Sequence, residues 1–146
     1  MKPLPHQYTV DAHASDSVVS LSSAGVPTIE TAAPIEFGGP GGYWSPETLL
    51  TAAVADCFIL SFKAIARASK FSWEDISCTV VANLDRVDKV TRFTTLVITP
   101  KLVIAESESI EQANKLLAKA EANCLVSNSM QVEIELIPEV SFSSGQ

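Results

Sequence analysis

Residues 45–60, SPETLLTAAVADCFIL, decide the fold. Ser45 is a favoured helix N-cap, Pro46 suits the first helical position, and Glu47 complements the positive end of a helix dipole. Leu50, Val54, Cys57, Ser61, Ala64 and Ala68 then recur at spacings of four and three, which is one helical stripe. Leu49, Ala53 and Leu60 widen the apolar surface, so the first half of the helix is expected to be deeply buried. Lys63, Arg67 and Lys70 gather near its end, where cations suit the dipole. Cys57 sits inside the stripe, and its sulfur is either packing or chemistry.

Upstream of this helix, Tyr8, Val10 and Ala12 alternate with polar residues and read as a strand. SVVSLS (17–22) reads as a second strand and residues 28–37 as a third, ended by the glycine-rich loop GGPGG (38–42). Downstream, alternating Ile76, Cys78, Val80 and Ala82 predict a strand over 75–84, and DRVDK (85–89) a hairpin connection. Residues 91–104 predict a long strand in which Pro100 points to an edge or a bulge. A second amphipathic helix follows in SESIEQANKLLAKAEANC, with a Ser109–Gln112 capping pair and a face of Ile110, Ala113, Leu117, Ala120 and Cys124. Val132, Ile134 and Leu136 open a last strand, and SFSSGQ reads as a loose tail. The order is that of an α+β domain with antiparallel hairpins, expected as one domain over residues 1–146.

Seventeen acidic against ten basic residues give a net charge of -7, which argues against nucleic acid and anionic membrane surfaces. No secretory signal is visible at the N-terminus, and the nearly uncharged stretch Thr48–Phe62 is too short for a bilayer span. A soluble, cytoplasmic protein is the expectation. The three cysteines, Cys57, Cys78 and Cys124, form no CxxC pair, and His6 and His13 lie far from them, so no metal site is expected. Cys78 shares a strand face with Ile76 and Val80 and reads as core packing. Cys57 and Cys124 each lie on the apolar face of a predicted helix. Packed helices would bring them within disulfide range or bury them as two inert thiols, and the pattern alone leaves both open.

SPETLLTAAVADCF resembles the central-helix motif of the OsmC/Ohr family, and ANCLVSNSM resembles that family's second-cysteine motif. The likeness runs from about Tyr8 to Val140. It implies an OsmC-like fold, an antiparallel sheet packed on two long helices, assembled as an intertwined homodimer. It also implies a thiol peroxidase without metal or organic cofactor. Cys57 resembles the cysteine that attacks an organic hydroperoxide or hydrogen peroxide, and Cys124 the one that resolves the sulfenic acid to a disulfide. A lipoyl-type or thioredoxin-type dithiol then resets the pair. Glu47 resembles the glutamate that orients an arginine beside the reactive thiol; on sequence alone it is a solvated first-turn acid. Ten residues of helix separate it from Cys57 by roughly 15 Å, so in this role it would serve the Cys57 of a second chain.

Two departures from the family pattern stand out. The family places an arginine on an N-terminal strand or loop, but this chain has none before Arg67, leaving only Lys2, His6 and His13. A mid-helix cysteine needs stabilisation of its thiolate. Arg92 is a candidate substitute, beside its reading as a solvated strand residue; Arg86 reads as hairpin surface. The usual proline after the second cysteine is Leu125, read as a change in local rigidity. Tyr43 and Trp44 read as pocket roof or loop anchor, Phe58 and Phe62 as core, and Trp73 as packing after the helix. The alternative to an enzyme is a non-catalytic OsmC-like dimer that binds a small molecule or senses redox state.

Overall fold

The computed structural model describes residues 1–143. The chain divides into two compact units, Met1–Leu50 and the remainder from Thr51.

The first unit is an antiparallel meander of β1 (Asp11–His13), β2 (Val19–Ser22) and β3 (Ile29–Thr31). The strand expected over 28–37 is shorter than its pattern, because Pro34 starts a 3-10 turn at Ile35–Phe37. Gly38 closes that turn at φ 84. Gly39 is obligatory, since a Cβ there would lie 1.7 Å from the Ala33 carbonyl oxygen. The loop returns to the sheet through a hydrogen bond from Ala32 N–H to the Trp44 carbonyl at 3.0 Å. Helix α1 (Pro46–Ala68) begins here, as its sequence predicts. Ser45 and Thr48 cap it reciprocally. The Ser45 Oγ accepts from Thr48 N–H at 3.1 Å, and the Thr48 Oγ1 accepts from Ser45 N–H at 2.9 Å.

In the second unit, β4 (Asp75–Val87) and β5 (Val90–Ile104) form a long antiparallel hairpin. Its turn is only Asp88 and Lys89, both at positive φ (50 and 68), so the strands extend through most of the expected connection. The bulge falls at Asn83/Leu84. Helix α2 (Ile110–Ala122) is capped by the Ser109 side chain, which accepts from Gln112 N–H at 3.1 Å. After a short helix α3 (Leu125–Asn128) come β6 (Glu133–Leu136) and β7 (Glu139–Phe142).

Both β6 and β7 pair with β5 in parallel, not as hairpin partners. The chain from β5 through α2 is a crossover, which is what parallel pairing requires. Pro100 is therefore on a central strand rather than an edge. Its missing donor falls in a gap: β6 stops at Ile98↔Leu136 and β7 resumes at Lys101↔Glu139. Part of the expected tail is thus strand, and residues 144–146 lie outside the described residues.

Alternation along β5 buries Leu96, Ile98, Leu102 and Ile104 on one face. Against them pack Val54, Phe58, Phe62 and Ala66 of α1 and Ala113, Leu116, Leu117 and Ala120 of α2. Trp73 meets Phe62 edge to face at 6.0 Å. The buried stripe of α1 runs through Val54, Phe58, Phe62 and Ala66, one residue round from the Cys57 stripe. The deep burial expected of the first half of the helix is not found, since Leu50 is 37% exposed; farther along, Leu60 is 56% exposed. The whole of α1, longer than the Thr48–Phe62 stretch, is by length and composition apolar enough to cross a membrane, and four of its residues are committed to the core.

Candidate active site

The first turn past the core stripe sets the site. Cys57 lies one residue before fully buried Phe58, so its side chain emerges at the border of the packed face. Ser61, one turn on, brings its Oγ to 4.0 Å from the Cys57 Sγ. Cys124 is not on α2, as the periodicity suggested, but at the junction after it, as the N-cap of α3. It is fully buried, while Cys57 is partly open. The two thiols are near enough across this junction to influence each other's ionisation.

Their acidities diverge. Burial is the largest influence on Cys57 and pushes its pKa up. The Val126 N–H, the Cys124 S–H, the Ser61 hydroxyl and the Leu125 N–H all donate toward its sulfur, and together they hold it below the ordinary thiol value. Cys124 moves the other way, raised by burial and by the negative charge forming on Cys57. Cys78, on the helix-facing side of β4, is pushed up to about 11, chiefly by burial. It behaves as the packing residue its strand position predicts.

Cys57 opens into a groove of about 650 Å³. Ala53, Leu60, Ala64, Ile65, Leu125 and Val126 make its walls, and Asp56, Lys119 and Asn123 add polar groups. Such a groove accepts an apolar molecule with a polar reacting end. Asp56 does face the same space as Cys57, despite being adjacent on the helix.

The other sequence candidates divide. Glu47 is in the first turn of α1, ten residues before Cys57 on one helix. Arg92 does not line the groove; its Nη1 donates to the Phe93 and Gln131 carbonyl oxygens, both at 3.3 Å, beside a separate cavity. Arg86 is exposed on β4 and His13 on β1. His6 hydrogen-bonds the Lys2 carbonyl oxygen at 2.9 Å. Tyr43 and Trp44 are exposed at 45% and 54%. Among the described residues no group of three His, Cys, Asp or Glu side chains is placed to hold a metal ion. Ser61 and the two amides after Cys124 escaped the sequence reading. Ser61 carries a faint signal in its spacing of four from Cys57, whereas main-chain donors carry none.

Residues 39–138 match the family described as OsmC-like protein. The chain belongs to the OsmC-like family. The uncharacterized protein YmaD of Bacillus subtilis (strain 168) is 29% identical to this OsmC-like protein over 115 residues, 77% of each chain. An OsmC-like protein of unknown function from Vibrio cholerae superposes with a TM-score of 0.83 at 19% identity, covering 93% of this chain and 99% of the other. An organic hydroperoxide resistance protein OsmC from Legionella pneumophila superposes at 0.77 with 26% identity, covering 94% and 99%. The mixed α+β fold with two main helices is the OsmC-like fold. The family includes hydroperoxide resistance proteins alongside members of unknown function.

Proposed function

We propose that this OsmC-like protein is a thiol peroxidase that reduces organic hydroperoxides, or hydrogen peroxide, through Cys57 and Cys124. The observation that carries this reading is a pair of neighbouring thiols of opposite acidity, one opening into an apolar groove and the other fully buried. A thiol below its ordinary pKa is the nucleophile, and a buried, protonated neighbour is the resolving partner.

The Cys57 thiolate attacks the outer peroxide oxygen and the O–O bond breaks. The sulfur takes that oxygen as sulfenic acid, and the alkoxide leaves as alcohol after taking a proton. The Cys124 sulfur then attacks Cys57; the S–O bond breaks, water leaves and a disulfide forms. An external dithiol, lipoyl-type or thioredoxin-type, returns both thiols by exchange and becomes a disulfide itself. Glu47 is about 15 Å along the helix from Cys57, so in this reading it acts in a homodimer, across to the partner's site. The need for a dithiol fits a reducing, cytoplasmic setting.

The groove that Cys57 opens into is lined by Lys119 but by no arginine or histidine, which favours a second reading, a redox-sensing or small-molecule-binding dimer. Kinetics separate the two. Reduced protein with dihydrolipoamide is expected to consume cumene hydroperoxide with turnover that vanishes in Cys57→Ser. Folded, fully reduced protein that leaves the peroxide at the buffer rate would reject the enzyme in favour of the sensor.

A further inference from the structure

We propose that the dithiol which resets the site attacks the Cys57 sulfur of the disulfide, so that the mixed disulfide forms on Cys57 and Cys124 is the first thiol released. The place of this step in a cycle rests on the peroxidase reading; the access that decides it does not.

The two cysteines are unequally placed along one wall of the groove. Asn123, Leu125 and Val126 all line it, and Cys124, between the first two, does not. Cys124 is fully buried. Its main chain is fixed on both sides. The N–H donates to the Glu121 carbonyl oxygen at 3.3 Å, and its own carbonyl oxygen accepts from Asn128 N–H at 3.0 Å and from the Ser127 hydroxyl at 3.3 Å. Ser127 is buried with it, whereas Leu125 is 76% exposed. Cys57 is partly open and lines the groove, with Ala53 one turn before it and Ser61 one turn after. A sulfur entering the groove meets Cys57 and not Cys124.

Two effects oppose each other in the exchange. Cys57 is the stronger acid and so the better leaving group, which favours attack on Cys124. Enclosure of Cys124 favours attack on Cys57. Leaving-group acidity only scales the rate of an attack that can take place. A sulfur without exposed surface offers no line of approach, so access decides.

The reductant's thiolate bonds to the Cys57 sulfur and the S–S bond breaks. Cys124 leaves with the electron pair and takes a proton. The second thiol of the dithiol then attacks the reductant's own sulfur, which closes the external disulfide and frees Cys57 as thiolate. Burial favours the protonated form of the released Cys124 and so slows its return to Cys57 between the two steps.

A monothiol stops the sequence at the mixed disulfide and so reads the site of attack. The reduced full chain is closed to its disulfide with diamide, so that no peroxide is needed, and treated briefly with benzyl mercaptan. Acid quenching, alkylation of free thiols and peptide mapping then locate the adduct. The folded protein is expected to carry about tenfold more benzyl adduct on Cys57 than on Cys124, and the same protein in urea to carry it on both. Adduct chiefly on Cys124, equal labelling in the folded state, or a Cys57 preference that persists in urea overturns the proposal. Failure of diamide to link the pair overturns it together with the catalytic cycle. A linked protein that takes the adduct on Cys57 yet ignores peroxide leaves the site of attack standing and removes the enzyme.

Discussion

At the scale of single residues, Cys57 and Cys124 are alike in chemistry and unlike in setting. Partial exposure and four donors make Cys57 the stronger acid, and enclosure keeps the proton on Cys124. Cys57→Ser is expected to lower peroxide turnover by about a thousandfold or more. Cys124→Ser is expected to allow one rapid oxidation of Cys57, then to stall as sulfenic acid or advance to sulfinic acid, which mass spectrometry resolves. Cys78 gives a pH test of its own. Its pKa is raised in the fold, to about 11. Its contribution to stability is therefore present below the unfolded thiol pKa of about 8.5 and lost as pH rises through the folded value. Between those limits the wild type should lose more stability to urea than Cys78→Ala loses; equal losses would contradict the burial assigned to this thiol. Both candidate cysteines were picked out by motif, although helical spacing placed Cys124 on α2 instead of at the junction after it. The lowered pKa of Cys57 was not legible, because a residue's letter does not reveal which groups surround its sulfur.

At the scale of elements, α1 is set by its cap and by its apolar stripe. Ser45→Ala removes the side-chain acceptor for Thr48 N–H and is expected to cost about 1 kcal/mol in chemical denaturation. Phe58→Ala empties a fully buried site between α1 and β5, with an expected loss of roughly 3–5 kcal/mol. Helix limits were clear from Ser45, Pro46 and Ser109, where local chemistry decides. The phase of α1 was not. With apolar residues nearly all round its first half, the pattern supports more than one inward face, and the core selects Phe58 and Phe62 over Cys57. The parallel return of β6 and β7 was equally hidden. Alternation in Val132, Ile134 and Leu136 announces a strand, but the direction of its neighbour is fixed by the crossover through α2. Pro100 shows the consequence, since a break between two partner strands accommodates it as well as an edge would.

At the scale of the whole molecule, the proposed homodimer explains two features together. The middle of α1 leaves Leu60 open beside the groove, and Glu47 is too far along its own helix to serve Cys57. Sedimentation equilibrium is expected to give twice the chain mass, and Leu60→Asp to shift it toward the single chain; a wild-type monomer at micromolar concentration would argue against Glu47 acting across chains. The central claim is that the Cys57 and Cys124 sulfurs form one reversible bond. Its most direct measurement is the intact mass and peptide map of fully reduced protein after one equivalent of cumene hydroperoxide. The expected result is a loss of about 2 Da with a single Cys57–Cys124 cross-link that a dithiol reverses. A folded protein that retains all its thiols, or one oxidised with Cys124 still free, would contradict it.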